Sequence, residues 1–338
     1  MARQAQAALA LAGAHHSSWR GQLGETRKVP EGIVLGTADW DGTLRYHYDE
    51  VVKPLQEMFA RRGEQLDAET LVRYRSALLV VLHENAHMLA PEGRDNGDER
   101  DTPITTDPAR KALEEGATEA WAVRNLDRYI DELGLADVCP GLKQVKEISR
   151  YQHYLPAADV LAERLGEGSA AGRDEVLRQL NCVLSDGKWP VLVDAMYKNS
   201  ELPDLVPQGD QRRVKRELDA AMRAPMRLLK TLETKLPISS RASGSRALGE
   251  AAYFEGLRAV ERLENQYRSA SAPLLHQDRA AEQPQPSNHQ DYKDVIVKAF
   301  SGTADPTGAI THPPAHPAPV SSTRPPQQPQ KSTGRDPR

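Results

Sequence analysis

The tightest constraint in this chain is an apolar helix that has to accommodate two histidines and a glutamate. The run Val80-Val81-Leu82-His83-Glu84-Asn85-Ala86-His87-Met88-Leu89 follows Ala77-Leu78-Leu79, and no charge falls at Asn85, Ala86 or Met88. Strong helix formers fill Leu71 to Leu89, with Asp67 placed as an N-cap and Pro91 as a stop. On a helix, residues four apart share a face, so His83 and His87 can aim both imidazoles at one metal ion. Glu84 lies one residue on and can act as general base on a water held there. Zinc suits such a pair, because it takes imidazole nitrogen and leaves a position open for water. A surface helix end with the same three side chains facing water would carry the same letters. The apolar lead-in argues against it, since burying two His and a Glu is costly unless they bind something.

Two histidines leave a catalytic zinc one protein ligand short. The stretch Lys111-Ala112-Leu113-Glu114-Glu115-Gly116-Ala117-Thr118-Glu119-Ala120-Trp121 offers the candidates. Asp107-Pro108 opens this helix as N-cap and first-turn proline, and Gly134 closes it. Glu115 and Glu119 share a face, so one carboxylate can reach a metal and the other the far nitrogen of a ligand His. Glu114 lies about 100° around the helix from Glu115, so both cannot point at one ion, and Glu114 is expected to be silent. Gly116 is a poor helix former there and lets another chain segment come close. A solvated acidic face beside Lys111 and Arg124 is the plainer alternative for these glutamates.

Together, H-E-x-x-H and the later E-G-x-x-E resemble the gluzincin branch of the zincin metallopeptidases, over about residues 33 to 133. The resemblance implies that His83, His87 and Glu115 hold Zn²⁺, that Glu84 is the catalytic base, and that Glu119 supports a ligand His. The metzincin continuation is absent, since Pro91 and Gly93 follow the motif instead. The implied fold is α+β and mostly helical. It has a zincin-like core with a small β-hairpin or sheet before the active-site helix and a helical C-terminal subdomain. Relatives of this kind supply a Tyr or His to stabilise an oxyanion. Tyr151, His153 and Tyr154 form the richest cluster, with Tyr154 and His153 the named catalytic candidates and an amphipathic helix surface the alternative.

The rest of the chain divides into four parts. Residues 1–30 are an Ala-rich, then polar, segment expected to be flexible, with an h-region too weak for an export signal. Residues 31–135 form the metal-binding core, in which Asp41-Gly42 between Ile33-Val34-Leu35 and Thr43-Leu44-Arg45-Tyr46 predicts a hairpin. That hairpin is the candidate substrate-side strand, and His47 reads as strand surface. Glu50 to Arg61 reads as a short helix, and the polar, acidic stretch 94–101 as a solvated loop. Residues 136–272 are expected to be helices over Leu142–Leu155, Ala157–Leu165, Arg173–Leu184, Pro190–Lys198, Gln211–Leu236 and Ser245–Ala270. Residues 273–338 are a Pro-rich tail that cannot build a core and is suited to docking on a partner.

Composition excludes more than it selects. With 338 residues, 39% of them hydrophobic, there is material for a real core. A net charge of −4 gives no reason to expect nucleic acid. No apolar run reaches membrane-spanning length, and a soluble, cytoplasmic protein is the expectation. Cys139 and Cys182 are too few for a disulfide framework and read as small buried residues. The expected function is zinc-dependent hydrolysis of a protein or peptide. The alternatives are a non-catalytic interaction protein on the same scaffold, or an effector or toxin-type peptidase specific for one protein.

Overall fold

Helix α3 (Ala68–His87) is the axis on which the other elements are hung. Asp67 caps it, its Oδ1 accepting the Thr70 amide at 2.8 Å, and twelve of its side chains from Leu71 to Ala86 are buried. In this computed structural model, residues 2–26, 34–39, 41–90, 107–167, 172–235 and 237–271 are described. Pro91, the 94–101 stretch, Ile33 and everything after 271 lie outside them.

On one side of α3 rests a three-stranded sheet, β1 (Gln22–Glu25), β2 (Gly36–Ala38) and β3 (Thr43–Tyr46), in the order β1-β3-β2. The expected hairpin is β2–β3, antiparallel with Ala38 opposite Leu44. Its turn uses Gly42 at φ +79°, where a side chain would also meet the Ser18 carbonyl. The sequence did not signal β1, which pairs parallel to β3 and makes β3 the central strand. Leu44, Tyr46, Val51, Ala77, Val81 and Met88 form a small apolar layer between sheet and helix. The strand end continues through a π-helical turn (Tyr48–Val52) into α2 (Lys53–Ala60). His47 caps that turn, its Nδ1 facing the Glu50 amide.

On the other side lies α4 (Pro108–Glu132), capped by Asp107 and antiparallel to α3. The pairs Arg75–Asp127 and His83–Glu119 fix that direction. A short α5 (Leu135–Val138) follows, then α6 (Leu155–Glu167), α7 (Gly172–Asn181), α8 (Ser185–Lys198), α9 (Leu202–Leu205), α10 (Gln211–Met226), α11 (Leu229–Lys235) and α12 (Ile238–Ser271). One apolar cluster runs from α1 (Ala2–Ala12) through α3 and α4 to α12, so the late helices share one core with the α3–α4 pair. The protein is thus α+β and predominantly helical.

Three expectations differ from the structure. The N-terminal segment, expected to be flexible, begins with helix α1 (Ala2–Ala12), whose Ala5, Ala7, Ala8 and Ala12 are buried. Alanine is the best helix former, and its small side chain lets α1 approach α3 and α4 closely. Leu142–Leu155 is not a helix. Residues 142–154 run beside α3, held by side chains of that helix that outweigh local propensity. Arg75, 6% exposed, binds Glu147 at 2.6 Å and faces the Leu142 carbonyl, and Ser76 Oγ accepts the Ile148 amide at 2.9 Å. The expected Gln211–Leu236 helix is two, α10 and α11, parted just after Pro225.

Candidate metal centre

The last two turns of α3 and the second and third turns of α4 cross with their polar side chains facing each other. Because both helices advance by four, His83 meets Glu119 while His87 meets Glu114 and Glu115. His83 Nε2 and His87 Nε2 are 3.0 Å apart. Glu115 Oε2 lies 3.4 Å from the first and 3.6 Å from the second. That oxygen is buried and has no hydrogen-bond partner. Three donor atoms therefore converge on one small volume, and His83, His87 and Glu115 form a group able to hold a metal ion.

The outer nitrogens are held as well. His83 Nδ1 pairs with Glu119 Oε2 at 2.8 Å, and His87 Nδ1 with Glu114 Oε1 at 2.8 Å. Each imidazole that donates Nδ1–H to a carboxylate presents the Nε2 lone pair inward. Glu114, expected to stand apart from the site, thus touches one of its histidines. Its 100° offset from Glu115 is what lets the two carboxylates straddle the His87 ring, one on each nitrogen. Lys188 of α8, only 2% exposed, adds a contact from Nζ to Glu114 Oε1 at 3.1 Å. Lys188 Nζ also donates to the Thr118 hydroxyl at 3.4 Å, and that hydroxyl donates to Asn181 Oδ1 at 3.1 Å. A lone lysine in an otherwise ordinary helix carries no sequence signal of this contact.

These contacts set the protonation of the metal-free group. Burial would lower the pKa of His83, but the Glu115 and Glu119 carboxylates outweigh it and hold the imidazole well above its ordinary value. His87 is likewise opposed by burial, yet Glu114 and Glu115 raise it to about 9. Burial alone would raise Glu114, and the Lys188 charge with the His87 hydrogen bond brings it down to about 2. The two histidines similarly hold Glu115 well below the usual carboxylate range despite its burial. Glu84 goes the other way: burial pushes its carboxyl up, against the pull of the two histidines.

Two close approaches frame the group. Gly36 of β2 lies against Glu84, where a Cβ would come within 2.6 Å of Glu84 Cγ. Gly116 of α4 lies under the chain before α6, where a Cβ would come 2.7 Å from the Tyr154 carbonyl oxygen. That approach sets the position of the whole 151–154 turn. Of its three candidates, Tyr151 is the one placed on the metal group, stacked on His83 with ring centroids 4.9 Å apart and 6° between planes. Burial and the Glu115 and Glu84 carboxylates push its hydroxyl well above the ordinary tyrosine range. Tyr154 instead belongs to the apolar core, and His153 packs its ring against Tyr154 at 3.9 Å.

No protein-family model matches this chain, and no curated protein or solved structure matches it. Among the described residues, no helix is long and apolar enough to cross a membrane.

Proposed function

We propose that the protein is a zinc-dependent metallohydrolase of gluzincin type, acting as a peptidase on a protein or peptide. The observation that carries this reading is the triangle of His83 Nε2, His87 Nε2 and Glu115 Oε2, with sides of 3.0, 3.4 and 3.6 Å. A point about 1.9 Å from all three atoms exists, against zinc bonds of roughly 2.0–2.2 Å to nitrogen and oxygen. Two nitrogens and one carboxylate are also the donor set of a catalytic rather than a closed structural zinc site. The buried Glu115 oxygen, which meets the two imidazole edges but makes no hydrogen bond, fits the same assignment, since such an atom is costly unless something binds it.

Zinc bound by these three residues would supply Lewis acidity, polarising a carbonyl and making a water acidic enough to attack at neutral pH. The chain's own groups do the rest. Glu114 and Glu119 orient the imidazoles through Nδ1. Glu84 takes the proton of the attacking water and returns it to the leaving amine, and a carboxyl raised by burial is suited to hold that proton between the two steps. Tyr151, whose ring stacks on His83, would donate its hydroxyl to the developing oxyanion, the role the sequence suggested for Tyr154 or His153. The β2 edge, lying on Glu84 through Gly36, is where an extended substrate would add a strand.

An unbiased peptide library incubated with zinc-loaded protein, and with the same protein stripped by a chelator, tests this reading. Cleavage by the loaded form alone is expected. Intact peptides in both samples would refute the assignment.

A further inference from the structure

The face of α3 that presents Glu84 does not end at the metal group. Stepping back by helical turns, Val80, Ala77, Arg73 and Thr70 lie on the same stripe, and these four floor a groove of about 680 Å³. Its walls come from the residues that lead into the site on two other elements. One wall is Leu35, directly before Gly36, whose backbone lies against Glu84. The other is Ile148 and Arg150, just ahead of Tyr151, whose ring is stacked on His83.

The bond from the Ile148 amide to Ser76 Oγ anchors that wall at 2.9 Å. Residues 148–151 therefore run alongside α3, from the level of Ser76 to the level of His83. Three separate elements thus bring the near end of the groove to the candidate catalytic residues. From Glu84 back to Thr70 the helix rises about 21 Å at 1.5 Å per residue. That is the length of about six residues of extended chain.

The lining changes along its length. Near the site its apolar contacts are Leu35, Val80 and the 58% exposed Ile148, with the charged Arg150 beside them. At the first turn of α3 it carries Asp67 and Glu69, while the charge of Arg73 is matched by Glu57 at 2.5 Å.

We propose that this groove binds one extended polypeptide segment of about six residues leading away from the bond cleaved. Apolar side chains would lie over Leu35, Val80 and Ile148, and a basic one toward Asp67 and Glu69. The protein then acts within long chains rather than on short peptides. This rests on the peptidase reading, and the test separates the two.

The full chain carrying Glu84→Gln, in which cleavage should be at least about 10²-fold slower, is titrated against a fluorescent mixture of random ten-residue peptides, followed by anisotropy. Adding Ile148→Glu, at an exposed position whose change spares the core, should weaken binding roughly tenfold, the equivalent of one lost apolar contact. A mixture of four-residue peptides should bind weakly to both proteins. Equal binding of the two lengths, or no effect of Ile148→Glu, overturns the proposal. Length-dependent binding that Ile148→Glu weakens, together with no cleavage by the zinc-loaded wild-type chain, supports the groove while overturning the peptidase reading.

Discussion

The α3–α4 crossing and the 142–154 segment both contribute to the candidate site, but they are held in place by different means. His83, Glu84, His87, Glu114, Glu115 and Glu119 sit on two regular helices, so their directions follow from spacing alone. Tyr151 sits on irregular chain, and its direction depends on Arg75, Ser76 and the absence of a side chain at Gly116. The helix pair is expected to keep its geometry under local change. The segment is expected to lose its geometry whenever one of its ties is cut.

The largest effect is expected on the helix side. Glu84→Gln should keep zinc yet lower hydrolysis by roughly 10²–10⁴-fold, the usual contribution of a general base. Metal content and turnover measured on one preparation check this, and near-normal turnover would move the base elsewhere. On the segment side, Tyr151→Phe should leave metal content unchanged and lower kcat by roughly 10²-fold, as loss of one oxyanion donor does. If its kcat stays at the wild-type value, the hydroxyl takes no part and the stacking on His83 is packing only.

Glu119→Ala and Glu114→Ala sharpen the comparison, because they remove support from each histidine separately. Both should weaken zinc affinity by roughly 10–100-fold, the range found when a carboxylate partner of a ligand His is lost. Competitive titration with a chelator of known affinity reads both. An unperturbed Glu114→Ala protein would mean that the 2.8 Å contact to His87 has no role in binding.

The smallest effect concerns the metal-free protein alone. The His87 pKa of about 9 lies above the ordinary value near 6.5. Its stabilising contribution is therefore fully present below about pH 6.5 and is lost as pH rises through about 9. Thermal melts of stripped protein should fall across that window, while zinc-loaded protein, whose imidazoles carry no such proton, should change little. A stripped protein with a flat profile from pH 6.5 to 9 would contradict the pairing of His87 with Glu114 and Glu115.

How far each region could be read in advance follows the same division. His83, His87, Glu115 and Glu119 were legible because helical periodicity turns a spacing of four into a shared face. The β2–β3 hairpin was legible from Asp41-Gly42 between two β-prone runs. The contact of Glu114 with His87 went unread for an instructive reason. The 100° offset excludes a shared metal but not a shared histidine, and only the depth of His87 between the helices shows that. Residues 142–154 carry helix-like letters, and their course is dictated by distant side chains that no local pattern records. Strand β1 escaped because Gln22-Leu23-Gly24-Glu25 lacks β-branched residues and has a glycine within it. Lys188 had no partner in sequence terms until α8 folded against α4.

The claim on which all of this depends is that His83, His87 and Glu115 hold one metal ion. Metal analysis of the purified full chain, alongside His83→Ala and His87→Ala proteins whose circular dichroism shows them folded, tests it most directly. The account predicts one zinc per chain in the wild type and none retained after dialysis in either variant. A folded wild-type chain that takes up no zinc, or variants that hold it as tightly as the wild type, would contradict it.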